Sequence, residues 1–420
     1  MKKYTHEYIT RKRIRVGIWD FDTVFANEKC MKEMVDLGVD TIFHGNATMN
    51  RATRETTLRI ADELGVEVYV NDFSIGDGGK GEKWSEEKIA KFDFAKMVST
   101  YAHHPSFAGN YIIDEHGTED FPWVAQITKK YQEQTGRTGY INLLPKYANA
   151  AQLKYGASQA AIEYYDSDPE IFQNYNDEYC KQYDTFYISS DIYPLNWGQY
   201  GEKTTYRDYI EAINQVARSA RNYGKEFWCC IQTYGWTPGK RTPTEAEYRW
   251  QCYCMLSFGC TCITLWNYRG SNEFPSLVHP ITTRPTDAYY AAQPVMWEMH
   301  NISDLYIQYK NLGAFTVNCT DDTPYLKMTK EYTDFDVISD IKCDEPLLVG
   351  CFEKEKGRGK AFTVVNMVDW QTPKDTVVKF KSKAKKVTVY RNAEPTVLTA
   401  NRGVYSIDLA QGEGVFVTLD

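Results

Sequence analysis

The stretch AGNYIIDEHGTEDFPW, residues 108–123, ends an apolar run on two adjacent carboxyl groups, Asp114 and Glu115. A carboxylic acid that gives a proton, beside a carboxylate that takes one, is the basic equipment of acid/base catalysis. Side chains alternate along a strand, so one of the two is expected to face inward while the other supports it from the side. Polar and aromatic residues close other apolar runs in the same way: Trp19, Asp20 and Asp22; His44 and Asn46; Asn71 and Asp72; Asn142; Asp191 and Tyr193; Gln232 and Tyr234; Trp266, Asn267 and Tyr268. This set suits sugars. Hydroxyls bond to short carboxylates and amides, ring faces stack on aromatics, and glycosidic cleavage needs a carboxylic acid and usually a second carboxylate. Asp22, Asn46 and Asn71 would serve equally well as helix caps.

The elements that must position these residues can be read from periodicity. Between residue 14 and about residue 270, eight short apolar strand patterns alternate with helical ones, among them EKCMKEMVDLG, RETTLRIADELG, YRDYIEAINQVARSARNYG and TEAEYRWQCYCMLSFG. Each helical pattern repeats apolar residues at three-to-four spacing and carries a Gly near its end. Eight such units in this length predict a (β/α)8 TIM barrel, in which the C-terminal strand ends hold the active site. A doubly wound open sheet is the rival, but IWDFDTVFANE after the first strand has no Gly-rich phosphate loop, and no nucleotide cofactor is expected. Past residue 310 the pattern shortens to alternating runs such as PLLVGCFE, KAFTVVNMV, TVVKFK and GVFVTLD. These predict an all-β sandwich. The expected division is a barrel over residues 1–310 and a β-sandwich over 311–420.

Composition narrows the partners. The 420 residues are 43% hydrophobic with a net charge of −8 and no long basic run, which argues against nucleic acid and anionic membranes. No apolar window approaches a membrane span, and the N-terminus lacks a signal-peptide core. Eleven Cys without zinc spacing read as buried free thiols in a reducing compartment, so a cytoplasmic protein is expected. Seven scattered His, with His103 and His104 before Pro105 and no HExxH pattern, give no metal centre, and no G-x-S-x-G elbow is present. With 15% aromatic residues, including 32 Tyr and 10 Trp, the chain has ample rings for stacking on a carbohydrate. Homo-oligomer formation is left open.

HHPSFAGNYIIDEHG resembles the fourth strand of clan A glycoside hydrolases, especially bacterial β-galactosidase-like members, and SSDIYPL is similar to their sixth. QTYGWTPGKRTPTEAEYRWQCYCMLSFGCTCITLWNY is similar to their seventh strand, following helix and eighth strand, and the C-terminal runs resemble their small β-domain. The resemblance implies a barrel glycosidase for small oligosaccharides or glycosides, with Glu115 as acid/base. Asp114 stands where the clan has Asn. Gln232 stands where the clan has its nucleophilic Glu, and a carboxamide cannot be a nucleophile.

Three readings therefore stay open. The second carboxylate is Asp191, or next Glu273; or a substrate 2-acetamido group supplies the nucleophile, oriented by Asp114; or the barrel binds sugars without cleaving them. Whether Gln232 replaces a glutamate is likewise open. The expected substrate contacts are Trp19, Asp20, His44, Tyr193, Gln232, Tyr234, Trp266 and Asn267, with Trp236 completing the aromatic ring.

Overall fold

The computed structural model describes residues 12–19, 21–44, 50–75, 83–319 and 335–420. Eight parallel strands run in the order β5-β4-β3-β2-β1-β8-β7-β6. They are β1 (Arg15–Trp19), β2 (Thr41–Phe43), β3 (Glu67–Asn71), β4 (Phe107–Asp114), β5 (Tyr140–Asn142), β6 (Tyr187–Asp191), β7 (Glu226–Gln232) and β8 (Cys260–Trp266). Just past β5, Leu143 donates its N–H to the Ser189 carbonyl at 2.8 Å and bridges Ser190 in parallel, which closes the sheet into a barrel. The (β/α)8 expectation holds.

The helices between strands follow their caps. Asn27 accepts from the Cys30 N–H to start the helix Glu28–Leu37, and Gly38, at φ 108°, ends it in the left-handed region. Thr244 and Glu247 form a reciprocal capping box at the start of Glu245–Ser257. The barrel interior is aromatic rather than branched-aliphatic: Phe43, Tyr69, Tyr111, Tyr140, Tyr187 and Trp228 form one buried cluster below Trp19 and Tyr193. Tyr187 stacks on Trp228 with ring centres 4.0 Å apart, and Phe43 meets Tyr140 at 4.1 Å. Gly17 makes the room, because a Cβ there would sit 2.7 Å from the Phe43 ring.

At the N-terminal end of the barrel a charged network stands in place of apolar packing. Arg13, fully buried, reaches Asp40 and Glu67 at 2.8 Å each, and Arg15 reaches Glu67 at 3.2 Å. Burial opposes ionisation of Asp40, but the Arg13 charge and hydrogen bonds from Arg13 and Thr41 leave its carboxyl below the ordinary value.

The last barrel helix, Asp287–Tyr306, leads into the strand Tyr309–Val317, the edge of a six-stranded antiparallel sheet. A three-stranded sheet of Ile338–Lys342, Thr376–Ser382 and Tyr405–Leu409 faces it across an apolar core that includes Val349, Phe362, Phe380 and Val417. The expected β-sandwich is therefore present. Its six-stranded sheet packs on the helix Glu245–Ser257: Ser257 Oγ bonds Thr363 Oγ1 at 2.7 Å, and the Ser257 carbonyl accepts from Asn311 Nδ2 at 2.9 Å. All eleven cysteines are free thiols. Among the described residues, no helix is long and apolar enough to cross a membrane.

Candidate active site

At the C-terminal mouth of the barrel, Trp19, Asp114, Glu115, Asn142, Asp191, Tyr193, Cys230 and Trp266 enclose a cavity of about 190 Å³. Asp114, Asn142 and Asp191 are the last residues of β4, β5 and β6, and Trp266 is the last of β8. Asn142 ties the acidic strands together. Its carbonyl accepts from the Glu115 N–H at 3.0 Å, and its amide Nδ2 donates to Asp191 Oδ1 at 3.0 Å. The Asn142 amide oxygen in turn accepts from Ser189 Oγ at 2.9 Å, which fixes the amide orientation from below.

Strict alternation would send Asp114 and Glu115 to opposite sides, yet both line the cavity. The reason is the backbone of Glu115, at φ 46°, in the left-handed region that costs a non-Gly residue roughly 1–3 kcal/mol. The turn that holds it is anchored on both flanks. Ala157 N–H donates to the Glu115 carbonyl at 2.9 Å, and Tyr175 OH donates to the His116 carbonyl at 2.7 Å. His116 is itself buried, with Nε2 2.7 Å from Tyr183 OH, and burial pushes its pKa down to about 3, so it stays neutral.

Asp191 is the most enclosed of the three acids, 5% exposed. Burial first, and then the charges of Glu115 and Asp114, raise its pKa well above the ordinary carboxylate value. A carboxyl group biased in this way toward its protonated form is suited to give a proton rather than to take one.

The aromatic wall is continuous. Tyr193 stacks on Trp266 at 4.8 Å, and Trp236 meets both edge-on, at 5.2 and 4.7 Å. Tyr234 lies behind Trp266 at 5.4 Å without reaching the cavity lining.

The remaining expected contacts are placed elsewhere. Gln232 is fully buried and engaged: Oε1 accepts from Leu195 N–H at 2.8 Å, while Nε2 donates to the carbonyls of Leu195 at 2.9 Å and Arg241 at 2.8 Å. It clamps the loops after β6 and β7 together and does not line the cavity. Asn267 Oδ1 accepts from Gly270 N–H at 2.8 Å and closes a turn. His44 is buried beyond the cavity lining, its pKa pushed down to about 3 by burial and then by the Arg54 charge. Asp20 and Asn46 lie outside the described residues. Asp22 caps the short helix Thr23–Phe25 and pairs with Arg269 at 2.8 Å, as a structural residue does. Glu273 is exposed in the loop after β8, away from the cavity lining.

Two residues of the rim have no strand-end signature. Tyr147, in the loop after β5, is 45% exposed, yet its hydroxyl is crowded enough that burial, then the charges of Asp191 and Glu115, hold its proton firmly. Lys240, in the loop after β7, donates Nζ to the Tyr193 carbonyl at 3.2 Å. Among the described residues, the one grouping of metal-type ligands is Glu55, His103 and His104. It precedes β4, at the opposite end of that strand from the acids, and His104 is already bonded to Asp62 at 2.6 Å and Glu55 at 3.1 Å. A larger cavity of about 280 Å³, lined by Lys12, Arg221 and Glu355 among others, lies where the barrel meets the C-terminal sheet.

No protein-family model matches the chain, and no curated protein sequence does. Solved structures do. A catalytic mutant of Gan42B, a GH42 beta-galactosidase from G. stearothermophilus, superposes with a TM-score of 0.60 at 8% identity, over 98% of each chain. A glycoside hydrolase family 5 protein from Bacteroides vulgatus superposes with a TM-score of 0.52 at 10% identity, over 100% of this chain and 95% of the other. The whole architecture, barrel and β-domain together, is that of these glycoside hydrolase structures. At such identities the likeness is one of fold, and the chemistry has to be argued from the cavity.

Proposed function

We propose that this protein is a glycoside hydrolase that cleaves small oligosaccharides or glycosides with the carboxyl groups of Glu115 and Asp191. One observation carries the reading: three acidic side chains and a wall of indole and phenol rings meet in a single cavity at the C-terminal mouth of the barrel. A pyranose stacked on Trp266 and Tyr193 would present its edge to the acids.

The sequence suggested Glu115 as the proton donor. The burial of Asp191 favours the opposite assignment, in which Asp191 protonates the departing oxygen and Glu115, less enclosed, is the carboxylate that attacks the sugar or activates water. Leaving-group dependence separates the two. A missing proton donor hurts poor leaving groups most, whereas a missing carboxylate slows every substrate. Asp191→Asn is expected to slow alkyl glycosides by roughly 10²- to 10⁴-fold and to spare dinitrophenyl glycosides, with Glu115→Gln slowing both. The reverse pattern returns the acid role to Glu115. Full activity in both variants removes the pair from the reaction.

The placement of Asp114 beside Glu115 in the cavity supports a second reading, in which Asp114 orients a substrate 2-acetamido group that acts as the nucleophile. Selective turnover of N-acetylhexosaminides across a nitrophenyl glycoside panel would favour it. A barrel that only binds sugars would turn over none of them. The free thiols fit action in the reducing cytoplasm.

A further inference from the structure

We propose that Lys240 makes the rim of the cavity a subsite for an anionic sugar residue, so that the substrate carries a carboxylate or sulfate ester on a ring bound beside Trp236 and Tyr147. The inference rests on the carbohydrate reading of the cavity and names the class of sugar.

Lys240 is held in place by its backbone. Its N–H donates to the Thr237 carbonyl at 3.0 Å, and the residue bridges Asn196 of the short hairpin after β6. Its side chain turns back to the cavity wall. Nζ donates to the carbonyl of Tyr193, a lining residue, and lies 5.0 Å from the centre of the Trp236 ring and 5.9 Å from that of Tyr147. Among the described residues, no carboxylate lies within ion-pair distance of it. Other cations of the loops after β5, β7 and β8 are matched: Lys146 to Glu211 at 3.3 Å, Arg241 to Glu247, and Arg269 to Asp22 at 2.8 Å.

One hydrogen bond to a carbonyl does not require a charge, and a half-buried ammonium without a counter-ion is destabilising unless something supplies the negative partner. Burial lowers its pKa to about 8. A ring stacked on Trp236 would bring a substituent to the ammonium while its anomeric bond stayed with the acids deeper in. Fixed rings beside the charge add selectivity, since cation–π contact alone leaves donors of the ammonium free for an anion.

The test uses the intact Glu115→Gln protein, so that binding is read without turnover. Calorimetric titration compares methyl glucuronide, methyl galacturonide and methyl galactoside 6-sulfate with the neutral methyl glucoside and galactoside. At pH 6.5 at least one anionic ligand is expected to bind about tenfold more tightly than its neutral counterpart. A gap confined to uronates identifies a carboxylate, and one confined to the ester identifies sulfate. Adding Lys240→Gln should reduce the gap to within about twofold, whereas Lys240→Arg should keep it. At pH 9, above the Lys240 value, the gap should close with lysine and persist with arginine. Equal binding of anionic and neutral ligands, no binding of any of them, or a gap that survives Lys240→Gln overturns the proposal. A Lys240-dependent gap in a protein that hydrolyses no glycoside would uphold it while overturning the hydrolase reading.

Discussion

Asp191 holds a carboxyl group where water scarcely reaches and where two other acids already stand, so its proton is more firmly bound in the folded chain than in the unfolded one. The stability consequence has a definite sign. Between the ordinary aspartate value and its raised value the native state binds the extra proton, so stability falls as pH rises through that window. Asp191→Asn keeps the acceptor for the Asn142 amide and removes the ionisation. It should raise thermal stability at pH 7 by on the order of 1 kcal/mol while slowing turnover of unactivated glycosides, and a loss of stability would show that the buried carboxyl group is otherwise compensated. Gln232 makes the complementary point. Its Nε2 faces the carbonyls of Leu195 and Arg241, so Gln232→Glu would set a carboxylate against oxygens. Such a variant should lose about 1–3 kcal/mol in chemical denaturation and gain no activity. The acid pair was visible in the sequence because it ends an apolar strand; the left-handed backbone of Glu115 and the clamp made by Gln232 were not, since both depend on loops brought together from distant positions. Tyr147 and Lys240 escaped for the same reason: they lie several residues past a strand end, where periodicity carries no information.

At the scale of elements, the barrel strands and their helices follow the sequence pattern closely. RETTLRIADELG lies within the helix Arg51–Leu64 up to its last residue, Gly65, which caps the helix end, and TEAEYRWQCYCMLSFG contains Glu245–Ser257, because caps and apolar stripes are local features. What the pattern did not reveal is where the aromatic residues go. Many of them fill the inside of the barrel, and their fit depends on glycine. Gly17→Ala would drive a methyl group into the Phe43 ring and should cost about 1–3 kcal/mol in urea unfolding, with no change in the residues at the mouth. A neutral result would mean that Phe43 can move aside. The hairpin Leu195–Trp197 with Lys203–Thr205 and the strand Glu394–Leu398 were also illegible. The first is too short to alternate, and the second is exposed at nearly every position.

For the whole molecule, the barrel core extends onto the near face of the six-stranded sheet, while the sandwich interior forms a second core: Tyr248, Trp250 and Met255 of the barrel helix belong to the same cluster as Leu348, Phe352 and Phe416 of the sheet. The close approach is enforced at Gly350, where a Cβ would lie 2.3 Å from the Ser257 carbonyl. Barrel and sandwich are therefore expected to unfold together, as a single calorimetric transition, and two separate peaks would refute a coupling through that face. Sequence showed the change of character near residue 310 but not this dependence, because the apolar residues of a helix look alike whether a sheet or another helix covers them.

The stacked pair Tyr193 and Trp266 has a practical consequence. These rings wall the cavity and sit beside a third, Trp236, so a bound sugar must change the polarity around indoles that the protein already carries. Intrinsic fluorescence can then report occupancy directly, without label or chromogenic group. Trp266→Phe should weaken that optical signal and leave a calorimetric one, so a panel of sugars can be screened on the unmodified molecule by binding alone.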